Sequence, residues 1–262
     1  MNKYLRLVGF AAHSLLTIGL LLVIVRSGLL VIVARPPNAQ GWEVPLDGIL
    51  SLVLVPAFLH ALLSFVGAIP LYLRKETRNE VEKKILLLLL FFLAIGNVKT
   101  LSIHTFLTHG FVVPNSLVSA LMVFSSVFTT YLLLITGLFQ QGVNTNKFQQ
   151  FIMIGLSVSL IVALAVPLSV NTKDFMAGPS ITYTPLVWAL RLINILSCFN
   201  FAAIYVKERT QHNLIRCGGF ILLILGQMCI DGRPNLVFVV TGLVCYIVGV
   251  LLVSPLGKNY RL

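Results

Sequence analysis

Charge is what this chain has least of. Only 10% of its 262 residues are Asp, Glu, Lys or Arg, against roughly a quarter in an ordinary soluble domain. Such a chain cannot cover its own surface with polar groups, so lipid is its natural solvent. Acid is scarcer than base: eight Asp and Glu stand against 19 Lys and Arg. Of the eight, only Asp231 falls near the end of an apolar run. Proton- or sodium-coupled transport usually relies on carboxylates at membrane depth, and their scarcity here counts against it. Cysteine is sparse as well. Cys198, Cys217, Cys229 and Cys245 form no CxxC pair and no metal-ligand spacing, so they read as small buried hydrophobes. A phosphate-binding glycine loop, an HExxH helix and a G-x-S-x-G elbow are all missing, and with them the chemistries they carry. No cofactor is implied, and no connection between apolar runs is long enough to fold as a soluble domain.

What is present is hydrocarbon. Hydrophobic residues make up 58% of the chain, and the mean hydropathy is +0.96. In lipid every backbone polar group must be satisfied internally, which leaves helix bundles or closed barrels. Barrel strands read as alternating segments of about ten residues. Ile85 to Ile95 contains no polar residue at all, so the fold class is all-α, a polytopic transmembrane helix bundle forming a single integral membrane domain over 1–262. A span needs about 20 apolar residues. Eight runs qualify, near 7–34, 47–73, 85–107, 113–139, 150–170, 183–206, 214–231 and 235–254. The count drops to seven if the short seventh run, ending at Asp231-Gly232, forms a re-entrant hairpin with the eighth. Lys3 and Arg6 precede the first run like a signal peptide. The run is far longer than a cleavable apolar region of about 7–15 residues, so it is expected to remain as the first helix.

The basic residues alternate sides. With the N-terminus cytoplasmic, inner segments hold 13 Lys and Arg and outer connections hold three, Arg35, Lys173 and Arg233. That bias over short loops is the positive-inside pattern. Both termini are therefore expected in the cytoplasm, and the chain in the cell (inner) membrane with the bilayer as its solvent. The net charge of +11 belongs to these caps. No basic stripe with interleaved aromatics accompanies it, so no nucleic acid partner is implied.

Ionisable residues inside spans are costly and point to function. From the helical rise, Arg26 and His104 lie ~28 Å and Lys99 ~21 Å from the inner face, and Arg191 ~12 Å below the outer face. Asp231 ends the seventh span near that face. The candidate ligand-binding set is Arg191, Asn194, Asn97, Lys99, His104 and Asp231, all in the outer half. If they converge they make an electropositive, outward-facing pocket for an anionic small molecule, because Arg offers a bidentate fork to carboxylate or phosphate. An Arg191–Asp231 pair would account for both residues without a ligand. Lys99 and Arg26 can also snorkel to the interface.

Polar stripes at helical spacing support inward faces. Asn97, Thr100, His104 and Thr108 share one face of the third span; His60, Ser64 and Gly67 share one of the second. Ser116, Ser119, Ser126 and Thr130 line the fourth, although hydroxyls are also ordinary membrane packing. Gly218-Gly219 and Gly242 to Gly249 read as close-packing positions. No two of His13, His60 and His104 share a depth, which argues against a haem held by two histidines. Lys99 lies in the third span and the last two spans carry no Lys, which argues against a retinal Schiff base. The expected function is a ligand-binding or sensory membrane module with no output domain of its own, signalling through a protein partner at the basic cytoplasmic loops. The alternatives are a transporter or permease subunit for a small solute, and a lipid-acting membrane enzyme or structural subunit of a membrane complex. Enzymatic activity is not the first expectation.

Overall fold

Uninterrupted Leu, Ile, Val and Phe leave the backbone one way to satisfy itself in hydrocarbon, the i to i−4 helical ladder. The computed structural model describes residues 3–34, 50–73, 80–108, 114–142, 145–166, 184–230 and 236–253, and every regular element among them is helical. Helix α1 is Lys3–Ala34. A π-helical turn at Leu50–Leu54 leads into α2, Val55–Leu73. Then come α3, Glu80–Ile95, a 3-10 turn at Gly96–Val98, and α4, Lys99–Thr108. They are followed by α5, Asn115–Gln140, and α6, Phe148–Ala165, the latter entered through a 3-10 turn at Thr145–Lys147. The chain continues with α7, Thr184–Lys207, α8, Gln211–Ile230, and α9, Leu236–Val253. Counting α3, its 3-10 turn and α4 as one, eight helices among the described residues are long and apolar enough to cross a membrane. The seventh, α8, is a full helix of 20 residues.

Two irregularities have sequence causes. Pro56 has no N–H to donate to the Leu52 carbonyl, and its ring crowds that carbonyl. The wide turn immediately before α2 accommodates it. At Gly96-Asn97 the third span tightens into its 3-10 turn, a local break in the α-helical ladder. Glycine weakens a helix interior, and an Asn side chain competes with the backbone for hydrogen bonds. Asn97 Nδ2 donates back to Leu93 O at 3.1 Å and Ala94 O at 3.4 Å.

The third and fourth spans are the most enclosed, each 61% buried over its most apolar stretch, against 17% for α6. Leu86, Leu89, Leu90 and Leu93 of α3 build the main core with Phe128 and Leu132 of α5, Phe201 of α7, Phe220 of α8 and Tyr246 of α9. Helix α1 lies against α2, α3 and α4; α6 lies on α5; α7 sits between α5 and α8; α9 packs on α8 and α2. The exposed Leu15, Leu22, Ile161, Leu164, Leu192 and Leu196 lie on peripheral helices, where lipid is the natural neighbour.

Helices α8 and α9 meet backbone to backbone. Gly219 and Gly226 face Gly242 and Gly249, and a Cβ on Gly249 would stand 2.8 Å from Leu223 N and 2.9 Å from Gly219 O. Small residues let membrane helices approach this closely. Gly218 is not part of this contact: nothing lies within 4 Å of a Cβ placed there.

At the end where α1 begins, Arg216 of α8 grips Glu82 of α3 with both arms. Nε donates to Oε1 at 2.6 Å, and a terminal amino group pairs with Oε2. The two side chains are 21% and 23% exposed, so water and salt still reach them. Arg216→Gln is expected to lower unfolding stability by about 1 kcal/mol, the upper end for such pairs. The loss should shrink in high salt. Thermal unfolding in detergent at low and high ionic strength checks both statements.

Candidate functional site

The break in the third span is where buried polar groups gather. His60, on the inward stripe of α2, is 3% exposed. Asn97 Nδ2 lies 3.0 Å from His60 Nδ1. Asn97 Oδ1 lies farther from the same nitrogen, at 3.4 Å. An amide nitrogen only donates, so the shorter contact favours Nδ1 as the acceptor, with the imidazole proton on Nε2. That nitrogen is buried and has no hydrogen bond of regular geometry among the described residues. Gln227 of α8 lies within interaction range of the ring, and Lys99 is close enough for its charge to act there.

Helix α9 closes the site. The fully buried Tyr246 ring stands 4.3 Å from the His60 ring, centroid to centroid, at 54°. Ser64 Oγ donates to His60 O at 2.8 Å. With that proton used, Tyr246 O–H donates to Ser64 Oγ across 2.7 Å. Thr100 Oγ1 donates to Asn97 O at 2.9 Å on the far side of the break. The second, third, seventh and eighth spans thus meet in one network of imidazole, amides, hydroxyls and a nearby ammonium.

His104 takes a different partner. Its Nδ1 lies 3.0 Å from Ser27 Oγ of α1, and Ser27 Oγ itself donates to Val23 O at 2.7 Å. The hydroxyl therefore accepts, and His104 carries its proton on Nδ1. Arg26, exposed on α1, is near enough for its charge to act on His104.

Of the six residues singled out from sequence, Asn97 and Lys99 flank the break together, and His104 follows one and a half turns later against α1. Arg191 and Asn194 stand apart on α7. The Arg191 guanidinium lies 5.3 Å from the ring centroid of Trp188 on its own helix. Asn194 is buried, and its Oδ1 has no partner among the described residues. No hydrogen bond or ion pair joins either residue to Asn97, Lys99 or His104. Asp231 lies outside the described residues, and with it any Arg191–Asp231 pair.

The α2 stripe of His60, Ser64 and Gly67 is wholly buried, and it was the strongest available signal for the site. Of the fourth-span stripe only Thr130 is buried. Ser116 is exposed and Ser119 and Ser126 are half-buried, while Ser125, Thr129 and Thr136 turn inward. Their hydroxyls bond backbone carbonyls, Ser125 to Phe92 of α3 and the other two within α5. Tyr246 was missed because a tyrosine in an apolar run reads as packing.

Among the described residues, no three His, Cys, Asp or Glu side chains come together as metal ligands. The chain matches no family model, no curated protein and no solved structure.

Proposed function

We propose that this protein is a membrane-embedded binding module of the sensory kind, taking a small polar or anionic solute at the break in its third span. One observation carries the reading: a 3-10 turn inside the third long apolar helix, with a buried His60–Asn97 pair beside it and Lys99 at its edge. Irregular backbone inside a bilayer is tolerated where it is enclosed by protein or lines a polar cavity. A mid-helix 3-10 stretch often marks a functional position. Lys99 supplies the positive charge, and His60 Nε2 and the Gln227 amide supply directional hydrogen bonds. The end at which α1 begins faces the cytoplasm in this reading, and its basic connections offer the surface for a signalling partner.

The same break favours a second reading, a permease for such a solute. Uptake into proteoliposomes separates the two, because a sensor binds without transport.

The test uses the protein in lipid nanodiscs with inorganic phosphate and short mono- and dicarboxylates as probes. At least one probe is expected to raise the unfolding temperature saturably. Lys99→Gln should abolish the rise while leaving the unliganded protein folded, and Arg191→Gln should leave it unchanged. If Lys99→Gln responds like the parent protein, the site is not at the break. If Arg191→Gln loses the response instead, the site lies on α7.

A further inference from the structure

Near the end where α1 begins, a second polar group is buried without explanation. His13 is fully enclosed, at 0% exposure, and Thr17, one turn further along α1, is at 1%. Neither His13 nitrogen nor the Thr17 hydroxyl has a hydrogen-bond partner among the described residues. A buried polar group without a partner is costly, and it calls for a missing water, ion or ligand. Leucine at either position would have avoided that cost.

The surroundings are aromatic. Phe65 and Tyr72 of α2 meet the His13 ring at 5.5 and 6.1 Å, and Phe91 of α3 meets it at 5.5 Å, all three edge-on at 73 to 88°. Phe10 extends the wall, at 6.0 Å from Phe65 and 5.5 Å from Tyr72. These four rings are only half-buried, so the cage stands at the perimeter of the bundle. Leu15 and Leu22 on the other face of α1 are exposed, which is the lipid side.

We infer that His13 and Thr17, walled by Phe65, Tyr72 and Phe91, bind a membrane-soluble molecule whose head group is a planar, carbonyl-bearing ring of the quinone class. The three rings pack edge-on against the His13 imidazole itself, so a flat ring enters by displacing one of them and takes over its edge-on or offset contacts. A carbonyl needs a donor, and both the imidazole and the hydroxyl have one to give. The two residues lie one turn apart on the same face of α1, ~6 Å along the helix axis, so both donors can serve one head group. Entry is lateral, from lipid, by movement of a half-buried ring. The site shares no residue with the third-span break and does not depend on the function proposed there.

The test is titration of the full-length protein in nanodiscs with a decyl-substituted benzoquinone, against empty discs as the partition control. Saturable binding of one molecule per protein is expected. His13→Phe keeps the aromatic shape but loses the donor, and should weaken binding roughly tenfold, the equivalent of one buried hydrogen bond. Thr17→Val should weaken it by a similar factor, and it provides the same reading should His13→Phe fail to fold. His13→Gln retains an N–H donor and should keep most of the affinity. Decylbenzene, which lacks the carbonyls, should not saturate. A titration identical to empty discs means that water alone fills the site and overturns the inference. Equal binding by His13→Phe, or saturable binding of decylbenzene, overturns it as well.

Discussion

Gly226→Ala should destabilise this protein more than any other single added methyl group along the α8–α9 contact. A Cβ at Gly226 would stand 2.8 Å from Gly242 O, 2.8 Å from Tyr246 N and 3.0 Å from Tyr246 Cα. All three are backbone atoms of α9, so no side chain can swing aside, and the two helices must separate. Overpacking in a tight contact costs typically 1–3 kcal/mol, and with every neighbour rigid the expected loss is about 3 kcal/mol. Alanine's better helix propensity returns at most ~1 kcal/mol, so the clash wins. The displacement is directed at Tyr246, whose hydroxyl and ring hold Ser64 and His60, so the polar network should loosen together with the helix pair. Gly218→Ala is the control. It is the same chemical change on the same helix, with nothing within 4 Å to meet the new methyl. Its unfolding midpoint should equal or exceed that of the parent. Equal midpoints for the two variants would mean that α8 and α9 are not in backbone contact.

Asn97→Leu is expected to be the most damaging change at the third-span break. A single interhelical hydrogen bond in a membrane protein averages only ~0.6 kcal/mol, so the His60 contact alone would predict a mild effect. Asn97 does more than that. Its amide also donates to the Leu93 and Ala94 carbonyls, and its removal leaves the buried His60 Nδ1 without its partner. An orphaned buried polar group costs about 1–3 kcal/mol, and that term decides the size. The expected loss is about 2–3 kcal/mol, on the scale of the orphaned imidazole rather than of the hydrogen bond. The companion variant His60→Phe removes the orphan. The double variant should therefore be less destabilised than the sum of the singles by about 1 kcal/mol, the coupling typical of residues in contact. Hydrogen exchange over residues 93–100 gives an independent check, because amides at a repaired, continuous helix would slow while those at a surviving break would not. Strict additivity of the two substitutions would mean that His60 and Asn97 do not pair.

How far the site could be read from residues alone is clearest when helices are compared. On α2 the stripe His60, Ser64, Gly67 was in phase with burial because it ran beside small residues such as Ala57, Ala61 and Ala68 that also turn inward. On α5 serines and threonines occur in adjacent pairs, Ser125-Ser126 and Thr129-Thr130. Either register makes a stripe, and only contact with α3 selects the one through Ser125. The break at Gly96-Asn97 had a visible cue, a glycine followed by an asparagine inside an apolar run. Such a pair is equally compatible with a continuous helix carrying one inward amide. Arg191 looked like a pocket residue by depth, but Trp188, one turn before it, offers its ring face on the same side of the helix.

By itself the sequence determined the element type and an apolar surface that suits lipid. Too little charge and runs without a polar residue leave the backbone only the helix, and the length of each run sets the number of helices able to cross a bilayer. These properties are local, carried by composition and by hydrogen bonding within a segment. The tertiary structure alone decided which polar residues meet. It set His60 against Asn97 and Tyr246, His104 against Ser27, and Arg191 against its own helix, while leaving His13 enclosed by rings. The reason is that lipid is as apolar as leucine, so hydrophobicity does not distinguish one helix neighbour from another. Helix order and rotation follow instead from glycine contacts, ring packing and hydrogen bonds between segments far apart in the chain.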